Sequence, residues 1–419
     1  MKTCKFTSLS VLILSLVCTW SVRAQHQRET ERCQVKTLEN SNYFENWLQT
    51  RTFKTAINTT DIYKIPIVVH VLHLGEPEGE GFNLPKEQIE AQIRILNEDF
   101  RRKEGTPGFN THPDGGDARI EFILARTSPD GKATDGIVRI DMNQLENPEK
   151  FPSSFNFYGQ YSYWDPEQYL NVWTLPDWPA ETLLGMATGP VTDLPGGDRF
   201  EVSDPVDGIL INAPYFGPSD IDSNYNRGRT LTHEIGHFLG LLHIWGATGC
   251  DKDDYCEDTP PQNKSHSVCP ATPPLACDGR PAMIENYMNY TPDGCMNIFT
   301  KDQISRMHTV LENSPRRKSL TTSPGLEAPV TGIPDVVASA IKVFPNPVAD
   351  HLNIDFGENQ VLNKVSISCY TSLGKKIFTN HYDKISKRIT LKMPFTAEKV
   401  LFLQLRSESL VVNRKLVLR

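Results

Sequence analysis

The sequence predicts an α+β fold followed by a small β-sandwich, and three observations support this prediction. Between residues 63 and 213, short runs rich in β-branched residues are typical of strands and enclose one amphipathic helix. Residues 244–300 are dominated by Gly, Pro, Asp and Cys, which predicts an irregular region held by something other than regular hydrogen bonding. Residues 341–419 alternate apolar and polar positions in short runs, as the strands of a small sandwich do.

The helices and strands of the first region follow from its periodicity. One helix is predicted over residues 85–100, where apolar residues recur every three or four positions on one face: Ile89, Ile93, Leu96 and Phe100. A second helix is predicted at about 228–240, and residues 143–168 read as a long loop-rich stretch. Strands are predicted at Tyr63–His73 and at about 118–126, 136–142, 169–174 and 207–213.

Length and charge limit the classes of protein that the chain can belong to. A chain of 419 residues is too long for one ordinary domain. Its 43 basic and 51 acidic residues give a net charge of −8, which argues against nucleic-acid binders and polybasic membrane-surface proteins, since both need a cationic face. We predict five segments: a signal peptide (1–24), a polar pro-segment (25–50), a main globular domain (51–318), a linker rich in Pro, Ser, Thr and Gly (319–336) and the β-sandwich (337–419).

The first residues predict export. Lys2 and Lys5 precede the apolar run 9–17, and small residues at 22–24 favour cleavage between Ala24 and Gln25. An uncleaved N-terminal anchor is the alternative, and no other stretch predicts a membrane span. Two of the nine cysteines lie in this signal, and five of the remaining seven fall within 250–295, which predicts a disulfide-stapled loop formed in an oxidising compartment.

Residues 233–243 contain the motif with the clearest chemistry. On a helix, His233 and His237 lie four positions apart on one face, so both imidazoles can reach one metal ion. Glu234 lies beside the first ligand, where its carboxylate can take a proton from the water at the metal. Gly240 lets the chain leave the helix and bring in His243 as a third ligand. Three nitrogens and one water form an open, catalytic type of zinc site.

This motif predicts a catalytic zinc site. An endopeptidase is the leading interpretation, which the resemblance described below favours, and two alternatives remain open. A zinc-bearing adhesin or binding module could keep the fold without turnover, and a zinc hydrolase could act on a substrate that is not a peptide. Glu234 argues for catalysis, because a non-catalytic relative could lose this side chain at little structural cost. His70 and His73 alternate on a predicted strand and are interpreted as packing residues.

The extended motif matches the metzincin metalloproteases residue for residue, and within them the chain resembles the pappalysin family. Residues 258–260 (Asp-Thr-Pro) and the segment 286–300 carry this second resemblance. It implies a metzincin-type zincin fold, with a twisted sheet, a backing helix, an active-site helix and an irregular C-terminal subdomain. Met288 is the counterpart of the Met-turn methionine, which supports the zinc site from below. Tyr290 matches a tyrosine that polarises the scissile carbonyl, and a packed tyrosine is the alternative.

The same resemblance assigns the cysteines and a second metal. It pairs Cys250 with Cys277 and Cys269 with Cys295. Five acidic residues crowd the first part of this loop: Asp251, Asp253, Asp254, Glu257 and Asp258. Such acidic side chains are most commonly solvated, but pappalysins bind calcium in this loop. The resemblance therefore implies Asp254, Thr259 and the backbone carbonyl of Glu257 as calcium ligands.

Asp293 is the expected specificity residue. It follows the Met-turn, where the family builds the wall of the pocket for the residue after the scissile bond. A carboxylate there would pair bidentately with Arg and less well with Lys, which predicts cleavage on the N-terminal side of these residues. An exposed turn aspartate is the alternative, because Thr-Pro-Asp-Gly is itself a good turn sequence.

Cys33 is expected to keep the enzyme latent. Pappalysin zymogens carry an Arg-Cys segment whose thiolate occupies the fourth zinc position, and here Arg32 precedes Cys33, although Gln34 follows where Gly is usual. The alternative is a disulfide between Cys33 and Cys256 or another chain. Activation then requires a cut after Cys33, and Thr50–Arg51 matches the expected specificity.

The C-terminal sandwich resembles the type A sorting domain of the bacterial type IX secretion system. The matching segments are 343–347, 351–354 and 372–375, together with an apolar run to the last residues. A carbohydrate-binding or adhesion sandwich is the alternative. The resemblance implies a protein that is secreted or held at the bacterial cell surface, with protein or peptide substrates and the type IX machinery as partners.

Overall fold

A computed structural model describes most of the chain after residue 32. The described residues are 33–36, 41–51, 61–144, 154–176, 183–190, 206–221, 223–246, 249–251, 253–327, 341–357, 362–371, 374–394, 398–407 and 411–419. The expected signal peptide and its cleavage site Ala24–Gln25 lie outside them.

Two groups of strands and a set of helices make up this part of the chain. The first sheet contains β1 (Cys33–Lys36), β2 (Tyr63–His73), β3 (Ile120–Leu124), β4 (Ile137–Asp141), β5 (Leu170–Leu175), β6 (Gly185–Thr188) and β7 (Ile209–Asn212). The helices are α1 (Ser41–Gln49), α2 (Lys86–Phe100), α3 (Phe155–Gly159), α4 (Arg229–Phe238), α5 (Lys301–Asn313) and α6 (Pro315–Leu320). The remaining strands are β8 (Lys342–Phe344), β9 (His351–Asp355), β10 (Leu362–Thr371), β11 (Lys376–Ile385), β12 (Arg388–Lys392), β13 (Val400–Arg406) and β14 (Val411–Val417).

The first sheet is parallel except at one pair. Its strand order is β1-β6-β7-β5-β2-β3, β4 also pairs with β2, and only β6 and β7 are antiparallel. Residues 65–72 of β2 are all buried, because a parallel sheet is covered on both faces. Ile67 and Val69 pack in one cluster with α2 and α4, whereas Leu72 packs with Trp173 in a second cluster on the other face. The sheet therefore holds both helices against a single face.

The two helices predicted from periodicity are present, with short corrections at their ends. The apolar face of α2 is buried as expected. Before α4 stands Gly228, with φ +78°, a left-handed conformation that favours glycine. After α4 the chain turns at Gly240, which has φ +90°.

An irregular segment follows α4, as the composition predicts. Disulfides Cys250–Cys277 and Cys269–Cys295 are both formed, with the pairing that the resemblance implies. The segment ends at α5, whose first turn is fixed by a reciprocal capping box between Thr300 and Gln303. Cross-links therefore replace regular hydrogen bonding between α4 and α5.

Three regions differ from the sequence interpretation. Residues 41–49 of the expected pro-segment form α1, because Phe44, Trp47 and Leu48 are buried against Val310. Residues 155–159, within the predicted loop-rich stretch, form α3.

The linker expected at 319–336 also begins later. Leu320 is fully buried, the Arg126 N–H donates to Gly325 O at 2.8 Å, and the Ser323 hydroxyl donates to Gln168 O. Residues 319–327 therefore pack on the main domain, and residues 328–336 lie outside the described part.

The C-terminal strands form the expected sandwich. A four-stranded antiparallel sheet, β11-β10-β13-β14, faces a three-stranded sheet, β12-β9-β8, and the two share an apolar core of their own. Within the described ranges, no helix has both the length and the apolar composition that crossing a membrane requires.

Candidate active site

Three histidine side chains converge where α4 ends. The Nε2 atoms of His233, His237 and His243 lie 3.1–3.3 Å from one another. Nδ1 of His233 lies 2.7 Å from Tyr287 O, and Nδ1 of His237 lies 2.8 Å from Leu241 O. A carbonyl oxygen only accepts, so both Nδ1 atoms carry the proton and both Nε2 atoms present a lone pair.

This triangle of nitrogens fits a metal ion. Lone pairs that face one another at such distances repel unless a cation lies between them. Zn–N bonds of about 2.0–2.1 Å at tetrahedral angles place the nitrogens about 3.3–3.4 Å apart, close to the separation observed. Burial lowers the pKa of His237 to about 4, which keeps its imidazole neutral and able to bind metal at neutral pH.

Two buried arginines close the carboxyl end of α4, where four carbonyl groups lack helical partners. Arg317 Nε donates to Phe238 O at 2.8 Å, and Arg306 Nε donates to Gly240 O at 2.7 Å. They fix the turn that brings His243 to the other histidines. Sequence reasoning missed both arginines, because they lie 79 and 66 residues from their acceptors.

Met288 and Tyr290 surround the histidines. A Cβ added to Gly236 of α4 would lie 2.4 Å from Met288 Sδ, so the thioether packs directly against the helix from the side of the Met-turn. The Tyr290 ring centroid lies 5.0 Å from that of His243 and 5.7 Å from that of His233. Both side chains therefore lie at the histidine cluster, as expected.

Glu234 is fully buried and lies against strand β6 of the first sheet. A Cβ on Gly185 of β6 would come within 2.7 Å of Glu234 Cγ and 2.9 Å of its Oε1. Only glycine leaves room for the carboxylate between α4 and β6, and sequence reasoning missed this residue.

Comparison with known proteins identifies the family. The profile of a peptidase family described as pregnancy-associated plasma protein-A matches residues 158–312, and that of a secretion system C-terminal sorting domain matches residues 342–419. An extracellular metalloprotease of Arthroderma otae is 30% identical over 254 residues, which cover 60% of this chain and 77% of that protein. One from Arthroderma gypseum is 37% identical over 270 residues, which cover 64% and 78%. The chain belongs to the pappalysin family of metalloproteases.

Solved structures of mirolysin and of its precursor resemble the chain in three dimensions. A Tannerella forsythia promirolysin mutant aligns with a TM-score of 0.56 at 32% identity, covering 68% of this chain and 91% of that one. Mature mirolysin from the same organism, in complex with a cleaved peptide, aligns with a TM-score of 0.51 at 34% identity, covering 62% and 96%. The expected fold, the metalloendopeptidase class, the sorting domain and the secreted or cell-surface location are thereby confirmed.

In this pappalysin, part of the N-terminal segment lies between β6 and the histidine cluster, a place named the cleft from here on. Strand β1 forms the edge of the sheet and pairs in parallel with β6, with Cys33 opposite Gly185. Cys33 is buried, and its Sγ lies within 4.8 Å of the ligand nitrogens of all three histidines and 3.4 Å from Glu234 Oε2. The Tyr290 hydroxyl donates to Cys33 O at 3.0 Å.

The other cysteines exclude one alternative for this pappalysin. Cys256 and Cys369 are buried free thiols, and Cys256 lies in the irregular loop rather than at the histidines. The disulfide considered between Cys33 and Cys256 is not formed.

Asp293 lies at the amino end of α4. Its Oδ2 accepts the N–H groups of Arg227 at 2.9 Å and Arg229 at 3.2 Å, and its carbonyl oxygen accepts from Arg229 Nη1 at 2.8 Å. The residue has no exposed surface, so the interpretation of an exposed turn aspartate is wrong. Its carboxylate also stabilises the helix, whose amino end favours negative charge.

Two of the three expected calcium ligands meet in the irregular loop. Thr259 Oγ1 donates to Asp254 Oδ1 at 2.7 Å, while the Glu257 side chain is exposed. Asp254 Oδ2 and Asp258 Oδ1 are buried and have no hydrogen-bond partner within the described residues. Burial raises the pKa of Asp254 well above its ordinary value.

Proposed function

We propose that His233, His237 and His243 hold a zinc ion and that this pappalysin is a zinc endopeptidase with Glu234 as its general base. The observation that carries the proposal is the triangle of three Nε2 atoms, two of which present lone pairs, beside a buried carboxylate. When bound, zinc polarises the scissile carbonyl and lowers the pKa of a water molecule.

The protein's own groups supply substrate placement and proton transfer. Once β1 has left, the edge of β6 that it occupies here can receive an extended peptide by strand addition. Glu234 takes a proton from the attacking water and returns it to the leaving amine. The Tyr290 hydroxyl, which donates to the Cys33 carbonyl, can donate to the scissile carbonyl once that segment has left.

We further propose that the chain is made as a zymogen closed by Cys33. Support comes from the Sγ position, where a thiolate would act as a fourth ligand and leave no place for the attacking water.

Chain direction supports latency as well. Strand β6 starts beside Glu234 and runs toward the carboxyl end of α4, where Gly240 lies near Pro190. Asp293 lies at the opposite end of α4. If Asp293 reads the residue after the scissile bond, a substrate runs antiparallel to β6, whereas β1 runs parallel to it. The reversed backbone presents its carbonyl and N–H groups in the wrong order for cleavage.

Activation is proposed to occur at Thr50–Arg51, giving an enzyme that begins at Arg51. This bond lies at the end of α1, where the Arg51 N–H donates to Leu48 O at 2.9 Å and the guanidinium stacks over Trp47 at 5.3 Å. An extended peptide is needed in the cleft, so the last turn of α1 must unwind before the bond is cut.

For specificity, we propose that Asp293 selects Arg, and then Lys, after the scissile bond. Its position at the amino end of α4 supports this assignment, because two backbone N–H groups hold Oδ2 and so fix the orientation of the carboxylate. A guanidinium can bind a carboxylate in a bidentate manner that an ammonium cannot.

A peptide-library cleavage profile tests this specificity. We expect Arg and then Lys after the cut, and a fall of about tenfold or more in the Arg preference of Asp293→Asn, because a charged hydrogen bond contributes about 1.5–3 kcal/mol. Asn keeps an oxygen for the α4 N–H groups, so it separates specificity from helix stabilisation. Aliphatic residues after the cut, or an Asn variant with an unchanged profile, would contradict the assignment.

We propose calcium in the irregular loop, held by Asp254, Thr259 and the Glu257 backbone carbonyl. The partnerless oxygens of Asp254 and Asp258 support a hard cation, which favours carboxylate ligands and removes the cost of burying them.

Thermal unfolding of the zymogen tests the calcium site. A cation at about 100 times its dissociation constant stabilises by about 2.7 kcal/mol, so we expect calcium to raise Tm over EGTA by about 5 °C or more. Asp254→Asn should remove the shift. Glu257→Gln should keep it, because only the backbone of that residue is assigned. A Tm that is the same in calcium and in EGTA would refute the site.

The sorting domain completes the proposal. We propose that it directs passage across an outer membrane through the type IX machinery and is then removed or used for surface attachment. Its separate core supports a unit that can be cut away without exposing the core of the protease.

A further inference from the structure

We propose that helix α1 is an independent anchor, which keeps the pro-segment bound after the chain is cut between α1 and β2. A single cut then leaves the cleft closed. This anchor rests on the proposed zymogen. It requires that the enzyme has a docking surface for a helix, here named the α1 socket and formed by Arg306, Val310 and Gly240.

A buried ion pair forms the centre of this contact. Glu45 of α1 and Arg306 of α5 are 3% and 7% exposed. Arg306 Nη1 donates to Glu45 Oε2 at 2.6 Å, and Arg306 Nη2 donates to Glu45 Oε1. Such bidentate pairs combine geometric specificity with strength.

Apolar side chains surround the ion pair. Phe44, Trp47 and Leu48 form a buried cluster with Val310. Gly240 lies under the Phe44 ring, since a Cβ there would come within 3.4 Å of Phe44 Cζ. One face of α1 thus enters the socket, while Asn46 and Gln49 face solvent. This is the pattern of an amphipathic helix docked in a groove.

The anchor is separate from the zinc-directed contact. Of these side chains, none belongs to the cluster of Cys33 and the three histidines. Strand β1 and α1 are joined by residues 37–40, and Thr50–Arg51 follows α1, so cleavage there leaves both contacts on one fragment. Release therefore needs a second cut between β1 and α1 or unfolding of α1.

The ion pair makes loss of the fragment costly. Once Glu45 is gone, Arg306 loses its bidentate carboxylate and keeps only the bond from Nε to Gly240 O among the hydrogen bonds described for it. Truncating one partner of a buried, hydrogen-bonded charge pair weakens binding by about 30-fold or more. Sequence changes on the exposed face of α1 should leave binding unchanged.

The test uses the full chain with Glu234→Ala, which prevents self-cleavage, and a foreign protease site placed within residues 52–60. After complete cutting, gel filtration shows whether the N-terminal fragment co-elutes with the remainder. We expect co-elution in this parent, in Asn46→Ala and in Cys33→Ser, and also after metal removal by a chelator. Glu45→Gln and Trp47→Ala should release the fragment.

A competition assay gives a second test that does not depend on whether the variant proteins fold. An excess of a labelled peptide of residues 33–51 first replaces the parent's own fragment after cutting. Unlabelled peptides of the same residues then displace the label, so the enzyme is identical in every arm. We expect the Glu45→Gln peptide to bind about 30-fold or more weakly than the natural one, and the Asn46→Ala peptide to bind equally. If Cys33→Ser releases the fragment while Glu45→Gln retains it, the anchor is refuted and the cysteine proposal stands. Release after one cut in the parent refutes it as well.

Discussion

Replacing Glu234 with Ala should reduce peptide cleavage by at least about 100-fold, the lower end of what general acid–base catalysis contributes. The carboxylate is fully buried on α4, at the position where it can take a proton from the attacking water. Alanine removes the base, and the cluster of Cys33 and the three histidines found among the described residues contains no carboxylate that could replace it. The measurement is casein hydrolysis after the parent and the variant have been processed by the same added protease.

Metal content separates a catalytic effect from loss of the site. Glu234→Ala should keep zinc at the parent stoichiometry, because the three histidines are unchanged, whereas His237→Ala should lose it. Glu234→Gln is the matched control, since it preserves the contact with Gly185 and removes only the basic oxygen. Cleavage by Glu234→Ala at the parent rate would disprove the proposed mechanism.

Much of the site could be predicted because its information is local. His233 and His237 lie one helical turn apart, and Gly240 marks where the helix must end. The amphipathic face of α2 is equally local, since four apolar residues recur at helical spacing. The chemistry and the sheet-and-helix plan therefore follow from short windows of sequence.

The parts that could not be predicted depend on distant contacts. An isolated helix as short as α1 is marginal in water, and its stability comes from packing on α5. Its apolar face is buried against Val310, and Glu45 pairs with Arg306, 261 residues away. Strand β6 was missed for another reason. Its four residues are all buried, and it contains Gly185, which weakens a strand pattern but is needed for Glu234.

Cys33→Ala is the second change with a large expected effect. The variant should begin self-processing without the delay of the parent, because its pro-segment can no longer place a thiolate at the zinc position. Loss of a contact worth only about 1.4 kcal/mol already gives a tenfold change in occupancy, so we expect processing to begin at least about tenfold sooner. Gel electrophoresis over time, with N-terminal sequencing of the product, measures this effect and tests the cut at Thr50–Arg51.

Two controls show whether the effect of Cys33→Ala is specific to this cysteine and depends on the enzyme's own activity. Cys369→Ala makes the same chemical change at a free thiol in the sandwich core, so it should process at the parent rate. Cys33→Ala combined with Glu234→Ala should keep its pro-segment, because processing is then the enzyme's own reaction. The anchor adds a further requirement, since in Cys33→Ala the helix α1 still holds β1 on the edge of β6. Cys33→Ala should therefore show less activity than the double variant Cys33→Ala with Glu45→Gln. This difference should last until the pro-segment has been cut a second time. A Cys33→Ala protein as latent as the parent, in the presence of zinc, would remove this cysteine from the mechanism and leave the paired strand and the helix as the source of latency.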